Sequence, residues 1–323
     1  MGLCSVLLAE MQSRVKMNMI SVIIPVFNCK NYIHRVYGCV ASQTYKDWEL
    51  IFVDDGSIDG SDAVCDSISS GDCRVHVVHQ RNEGASVARR VGIENANGEY
   101  FAFIDCDDIV EADYLGKLWS CLNICGDDSV KLAACDMVAH DENVVPEIDR
   151  DKSVLMLDED ELQSRFFHYQ FWGFWGKIYH KSVFDGVYFP KYTINEDYVV
   201  MAQIFHRYKT MAYLPVALYH YMNHGEGLSH QRLSKRMFDE YYNKLWVRDF
   251  YAKNNPRWLR CAEAQLAETC VKLLRCVMKN DEKGLYINEM HMIKKYLREH
   301  IVAILANGCL KMGVRVLALS LLV

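Results

Sequence analysis

The chain reads as an α/β protein built on a mostly parallel sheet, followed by a helical segment. Strand-like and helix-like runs alternate four times within its first 110 residues, the pattern of successive right-handed crossovers. Three of the strand-like runs end in polar residues: Asn28, Asp54-Asp55 and Asp105-Cys106-Asp107-Asp108. Sheets of this kind bind their ligands beyond the carboxyl ends of the strands. These convergent polar ends predict one site.

Ser21–Phe27 (SVIIPVF) is short, apolar and β-branched, which predicts a buried strand. Asn28 turns the chain into the helical spacing of Tyr32–Ser42. Trp48–Val53 is a second strand, stopped by Asp54-Asp55-Gly56-Ser57. A helix over Ser61–Ser70 leads to a third strand at Val75–His79. After the loop Asn82-Glu83-Gly84, Ala85–Ala96 has helical spacing, and Asn97-Gly98 turns into a fourth strand, Tyr100–Ile104. The middle, roughly 110–220, mixes helices with candidate strands at Val130–Met137 and Met211–Tyr221. From about Ser234 the pattern is helical. No repeat, low-complexity tract or Pro-rich linker interrupts it.

With 323 residues, 51% hydrophobic and 24% charged, the chain has the composition of a globular protein. A formal net charge of -6 argues against nucleic-acid binding driven by phosphate contacts. The charge is uneven. Residues 250–323 carry twelve basic and six acidic side chains, a net of +6, which leaves -12 on the rest. This basic end suits an anionic membrane or acceptor, or a solvated helical face. The 13 cysteines include no CxxC pair, and Cys39, Cys106 and Cys135 sit in apolar runs, which suits free thiols in a reducing cytoplasm. Cys121 and Cys125 share a helical spacing without a second pair to complete a zinc site. Residues 1–18 read as an extension without a basic signal-peptide start, and Met17 or Met19 are alternative first residues. Ile301–Val323 is apolar but holds Lys311 and Arg315, which predicts a helix lying on a membrane or packed on the body rather than a span.

The chemistry follows from the strand ends. Carboxylates at Asp105 and Asp107, two apart after an apolar strand, can share one hard cation whose other ligands are diphosphate oxygens. An oxygen-only site of this kind suits Mn²⁺ or Mg²⁺. Asp55 can accept from a uracil imide or ribose hydroxyls. Arg89 and Arg90 follow the Asn82–Ser86 loop, where a cation helps neutralise a diphosphate. Each feature alone also fits a turn, a cap or a surface charge.

Taken in order, Ile24–Asn28 (IPVFN), Ser42–Ser61, Asn82–Asp108 and the later Glu196-Asp197 resemble the family 2 glycosyltransferases over about residues 19–230. The resemblance implies a GT-A fold, a Rossmann-like sugar-nucleotide domain, at 19–230 and a helical region at 231–323. It implies inverting transfer from a nucleoside diphosphate sugar, UDP by default, to a glycan or lipid-linked acceptor, in bacterial polysaccharide assembly. Its site positions fall on Phe27, beside Pro25 and Asn28, for base stacking. They fall on Asp55 for the base ring, Arg89 for the donor, Asp105 for ribose and metal, and Asp107 for metal. Asp197 falls on the general base, with Glu196 as its alternative. Inverting transfer needs such a carboxylate to take the acceptor proton. Trp175 and Lys177, within WGFWGKIY, resemble the segment that shapes the acceptor site. In Tyr219–His230, Met222 stands where the family has arginine, with His224 or His230 as substitutes, and Arg90 stands where it has asparagine. Apart from the resemblance, the basic, apolar C-terminal end predicts a cytoplasmic location with peripheral contact at the inner membrane face.

Three other readings remain in view. A haloacid-dehalogenase-like phosphatase would use Asp105 as nucleophile, but three strand–helix units precede it and Asp54-Asp55 would be idle. A nucleotidyltransferase would need a glycine-rich basic loop near the start. A non-catalytic sugar-binding protein would need neither Asp107 nor Asp197.

Overall fold

The computed structural model describes residues 18–124, 129–141, 146–191, 194–223, 234–281 and 284–322. The N-terminal extension to residue 17, Cys125, His224 and His230 lie outside the described residues. The chain forms two compact units. The first comprises the described residues as far as Met156, with Phe174–Asp185 and Met211–Met222.

In the first unit β1 (Ile20–Val26), α1 (Lys30–Ala41), β2 (Trp48–Asp54), α2 (Ser61–Gly71), β3 (Val75–His79), α3 (Ala85–Asn95) and β4 (Tyr100–Phe103) follow in sequence. Their strands lie side by side in the order β3-β2-β1-β4, all parallel, with Ile23 opposite Ile51 on one side and Phe103 on the other. Every β2 residue is buried, and β1 is buried at all but Pro25. Strands covered on both faces must be apolar along their whole length, which is why they read as runs rather than alternations.

Two close approaches fix this half of the sheet. Gly92 of α3 lies so near β1 that a Cβ would stand 2.4 Å from Ile23 Cγ2. Glu49, buried in β2, accepts from Ser21 Oγ at 2.6 Å and from the Asn97 and Gly98 amides at 2.6 and 3.1 Å, and so ties down the turn before β4.

Next come β5 (Ile109–Val110), α4 (Tyr114–Ile124), β6 (Leu132–His140), β7 (Leu155–Leu157) and, after a helix of the second unit, β8 (Lys177–His180) and β9 (Met211–Met222). Here the sheet is mixed. β8 is antiparallel to both β4 and β6, β6 is parallel to β9, and β5 is antiparallel to β9. The expectation of a mostly parallel sheet describes β1 to β4 only. The crossover rule constrains consecutive parallel strands, and β8 enters after a long excursion that it does not govern.

The second unit comprises Leu157–Gly173, Gly186–Thr210 and the chain from Asn223. It contains α5 (Glu159–Phe167), α6 (Glu196–Arg207), α7 (Asp239–Asn254), α8 (Leu259–Asn280), α9 (Ile287–Ala306) and α10 (Met312–Ser320). Phe238, Tyr241, Leu266, Leu273, Leu274, Ile293, Leu297 and Ile304 form its core. Phe166 of α5 stacks on Tyr198 of α6 at 4.6 Å, so helices that precede residue 231 belong to this unit. Among the described residues no helix is long and apolar enough to cross a membrane.

Candidate active site

The parallel strands deliver the site from their carboxyl ends. Phe27 and Asn28 follow β1. Asn28 adopts a left-handed conformation (φ 51°), which asparagine tolerates better than most residues. Its amide donates to Ser57 Oγ at 3.0 Å and its Oδ1 accepts from the Ile58 amide at 2.9 Å, joining the ends of β1 and β2. The Phe27 ring is 49% exposed although it follows a fully buried strand residue, so an aromatic face is presented to solvent.

Asp55 follows β2 and is only 3% exposed. Its carboxylate accepts from Gln80 Nε2 at 2.7 Å and from the Glu83 and Gly84 amides at 2.8 Å each. An ionised carboxylate offers about four acceptor positions. Asp55 therefore spends most of its capacity shaping the loop that opens α3. Gly56, beside it, has φ 75°, and a Cβ there would stand 2.9 Å from the Asn82 nitrogen. Only glycine fits this turn without strain. Asp54, its neighbour, accepts from the Ser57 amide at 3.1 Å and pairs with His79 at 3.1 Å.

Arg89, on α3, is buried and its Nη2 donates to Asp105 Oδ1 at 2.8 Å. Its guanidinium lies 4.9 Å from the Phe174 ring centroid. Arg90 instead pairs with Glu94 on the exposed face of the same helix.

After β4 the chain presents Asp105, Cys106, Asp107 and Asp108. Asp107 is partly exposed, and its carbonyl accepts from Arg35 Nη2 at 2.5 Å. Asp108 turns inward. It accepts from the Tyr219 hydroxyl at 2.6 Å and from the Met222 amide at 2.9 Å. Burial pushes its pKa up to about 8, assisted by the charges of Asp105 and Asp107, while the Tyr219 bond acts in the opposite direction. The same Tyr219 hydroxyl accepts from the Asp105 amide at 3.1 Å. Tyr219 thus clamps both ends of the acidic segment. The sequence carries one signal for it, the Tyr-x-Tyr pair at 219 and 221. Phe174 falls within the WGFWGKIY segment, whereas Arg35 has no such signal.

No group of three or more His, Cys, Asp or Glu side chains among the described residues could hold a metal ion. Asp105 and Asp107 offer hard carboxylate oxygens alone, a donor set that fits Mn²⁺ or Mg²⁺ completed by phosphate oxygens and water.

Trp175 stacks on Tyr219 at 5.5 Å and lies 6.4 Å from Tyr221. Lys177 is 1% exposed, and its Nζ donates to the Trp175 carbonyl at 3.2 Å beneath that ring. The structure thus places this cation inside the first unit, next to the aromatic residue rather than on an open surface.

Glu196 and Asp197 belong to the second unit. They open α6, both nearly buried, behind Asn195 in a left-handed conformation (φ 58°). Asp197 Oδ1 accepts from the Tyr198 amide at 2.9 Å. Lys244 lies below, buried, with Nζ 3.3 Å from the Tyr198 ring centroid and donating to Gln265 Oε1 at 2.6 Å. Burial pushes its pKa down to about 7, while the charges of Glu240 and Asp197 act to raise it.

The parallel strands with acids at their carboxyl ends, continued by a mixed half-sheet, define a GT-A fold. Solved structures share it, two of them as follows. One is Staphylococcus aureus TarS 1-349 in complex with UDP, at a TM-score of 0.66 and 19% identity over 94% of this chain and 88% of that one. The other is the mannosyltransferase PcManGT from Pyrobaculum calidifontis in complex with GDP-Man and Mn²⁺, at 0.55 and 14% identity over 94% and 86%. The family model "Glycosyl transferase family 2" matches residues 21–185, and the chain belongs to that family. EpsH of Bacillus subtilis (strain 168), a glycosyltransferase by name, is 30% identical over 230 residues, 68% of this chain and 65% of its own length. The chain spans less than two thirds of the first curated relatives it matches. Membership sets aside the phosphatase and nucleotidyltransferase readings.

Proposed function

We propose that this protein transfers a sugar from a nucleoside diphosphate sugar, UDP-linked by default, to a hydroxyl of a glycan or lipid-linked acceptor, with inversion at the anomeric carbon. One observation carries the reading: Phe27, Asp55 and Asp105–Asp107 leave the carboxyl ends of adjacent parallel strands, with Arg89 bound to Asp105. The TarS complex with UDP and the PcManGT complex with GDP-Man and Mn²⁺ support it as relatives in fold.

The proposed roles follow from the side chains. The exposed Phe27 ring stacks on the base. Asp55 holds the Gln80–Gly84 loop and keeps an acceptor position for the base or ribose. Arg89 orients Asp105 for the ribose and the donor. Asp107, with Asp105, would hold Mn²⁺ or Mg²⁺, which when bound offsets charge on the departing diphosphate. Asp197 takes the acceptor proton, with Glu196 as its alternative. The acceptor oxygen bonds to the anomeric carbon from the face opposite the diphosphate, and the breaking C–O pair leaves with the diphosphate. No covalent enzyme intermediate is required. Trp175 offers the acceptor sugar an aromatic face, and Lys177 holds that ring from beneath. A lipid-linked acceptor would bring the reaction to the cytoplasmic face of a membrane.

The test is incubation of the full chain with a panel of sugar nucleotides, Mn²⁺ or Mg²⁺, and simple glycan or lipid-linked acceptors. Released nucleoside diphosphate and a product of inverted anomeric configuration, read by NMR, are expected. Failure to release diphosphate from any sugar nucleotide, with or without metal, overturns the reading.

A further inference from the structure

We infer that α9 and α10 form a docking face for an anionic lipid bilayer. The face is built from two stripes of exposed side chains. On α10, Met312, Val316 and Leu319 stand at i, i+4 and i+7 and are 69%, 60% and 49% exposed. That spacing puts them on one side of the helix. Its other side is already used: Ala318 is buried, and Val314, Leu317 and Leu321 pack on the core of the unit. On α9, Val302 (79% exposed) and Leu305 (38%) stand four and seven residues after Arg298, while Ile293, Leu297 and Ile304 face the core.

Arg315 ties α10 to α9, and Arg260 caps the end of α9 from α8. Arg315 of α10 donates from Nε to the Leu310 carbonyl at 2.8 Å and from Nη1 to the Leu305 carbonyl at 3.3 Å. Arg260 of α8 donates to the Ala306 carbonyl at 3.0 Å. These guanidiniums satisfy carbonyls that the end of α9 leaves open and set positive charge beside the exposed apolar residues. Lys294, Lys295 and Arg298 continue the charge along α9, and Lys311 opens α10. From residue 300 to residue 322 there is no Asp or Glu, and the nearest acid, Glu299, lies 3.9 Å from Lys295.

An apolar ridge flanked mainly by cations, with no acid on α10 and Glu299 offset by Lys295, complements a surface that is anionic outside and apolar within. A second copy would bring the same positive face against itself. Neither helix is long and apolar enough to span a bilayer, so the face lies in the plane of the surface. This inference does not depend on the transferase reading, and its test measures binding alone.

The experiment sediments the full chain with phosphatidylcholine vesicles, with and without phosphatidylglycerol, at low salt and in ~0.5 M salt. The chain is expected to pellet with phosphatidylglycerol-containing vesicles at low salt and to stay in solution with phosphatidylcholine alone. Lys311→Gln should weaken partition about fivefold, the effect of one basic residue near an anionic surface. Val316→Glu with Leu319→Glu should reduce it to the phosphatidylcholine level. Thermal melting checks that each variant folds, and Met312→Ser with Val302→Ser serves if the glutamate pair does not. Wild-type protein that ignores phosphatidylglycerol, or apolar-stripe variants that pellet like wild type, overturn the proposal. So does light scattering in which the glutamate pair converts a dimer to a monomer while vesicle binding is unchanged, since a second copy would then be the occupant.

Discussion

Arg89 and Asp105 meet at 2.8 Å in unequal surroundings, with the arginine side chain 7% exposed and the aspartate 28%. Truncating the arginine would leave the carboxylate in reach of water rather than stranded. Arg89→Met should therefore cost roughly 1–3 kcal/mol, less than a fully buried pair, including the lost contact with Phe174. Urea midpoints read this, and an unchanged midpoint would show the pair to be incidental. Asp107, partly exposed two residues on, should behave in the opposite way. Asp107→Ala should move stability by under ~0.5 kcal/mol and abolish metal-dependent turnover. The positions of these residues were legible in the sequence because polar side chains abruptly end apolar runs. Their partners were not: Arg89 finds Asp105 sixteen residues on, and Tyr219 clamps the acidic segment from more than a hundred residues away. No local pattern encodes such pairings.

At the scale of elements, legibility follows burial. Strands β1 and β2 read directly because two covered faces require continuous apolar runs. Strand β8 did not, since Lys177 looks like a residue facing solvent until its tertiary setting buries it against Trp175. Gly92 shows how closely an element can be fitted. Gly92→Ala would usually aid a helix, but here the new methyl stands 2.4 Å from Ile23 Cγ2. It should destabilise by roughly 1–3 kcal/mol, with Ile23→Val restoring part of the loss in a double-mutant cycle. A neutral Gly92→Ala would mean that α3 slides freely on β1.

Packing of α7 against α6 and α8 has a pH signature. Unfolded, Lys244 titrates near 10.5; folded, burial lowers it to about 7. Between those values the unfolded chain holds the extra proton, so this group makes stability rise with pH, with no change once both states are protonated or both neutral. Buried tyrosines act the other way at high pH, which calls for a difference measurement. The unfolding free energy of wild type minus Lys244→Met should rise by roughly 3–4 kcal/mol between pH 7 and pH 10. A flat difference would mean that the lysine titrates as it does in water.

For the whole molecule, the residues proposed to bind the sugar nucleotide fall in one compact unit and the carboxylates proposed for proton transfer in the other. Donor binding and chemistry should therefore separate by mutation. A ligand present at a hundred times its dissociation constant stabilises the folded state by about 2.7 kcal/mol, or several degrees of melting temperature for a chain of this size. Wild-type protein should show that shift with UDP-sugar plus Mn²⁺. Asp107→Ala should lose the manganese-dependent part, because the donor's diphosphate would no longer be held through the metal. Asp197→Asn should retain the whole shift, since the change is in the other unit and preserves shape, yet lose about 10²–10⁴ in kcat, the usual contribution of a positioned base. Glu196→Gln, its immediate neighbour on α6, controls for damage to the helix start and should keep most activity. If Glu196→Gln is the inactive variant and Asp197→Asn the active one, the two carboxylates exchange roles. If both transfer at the wild-type rate, the acceptor proton leaves by another group.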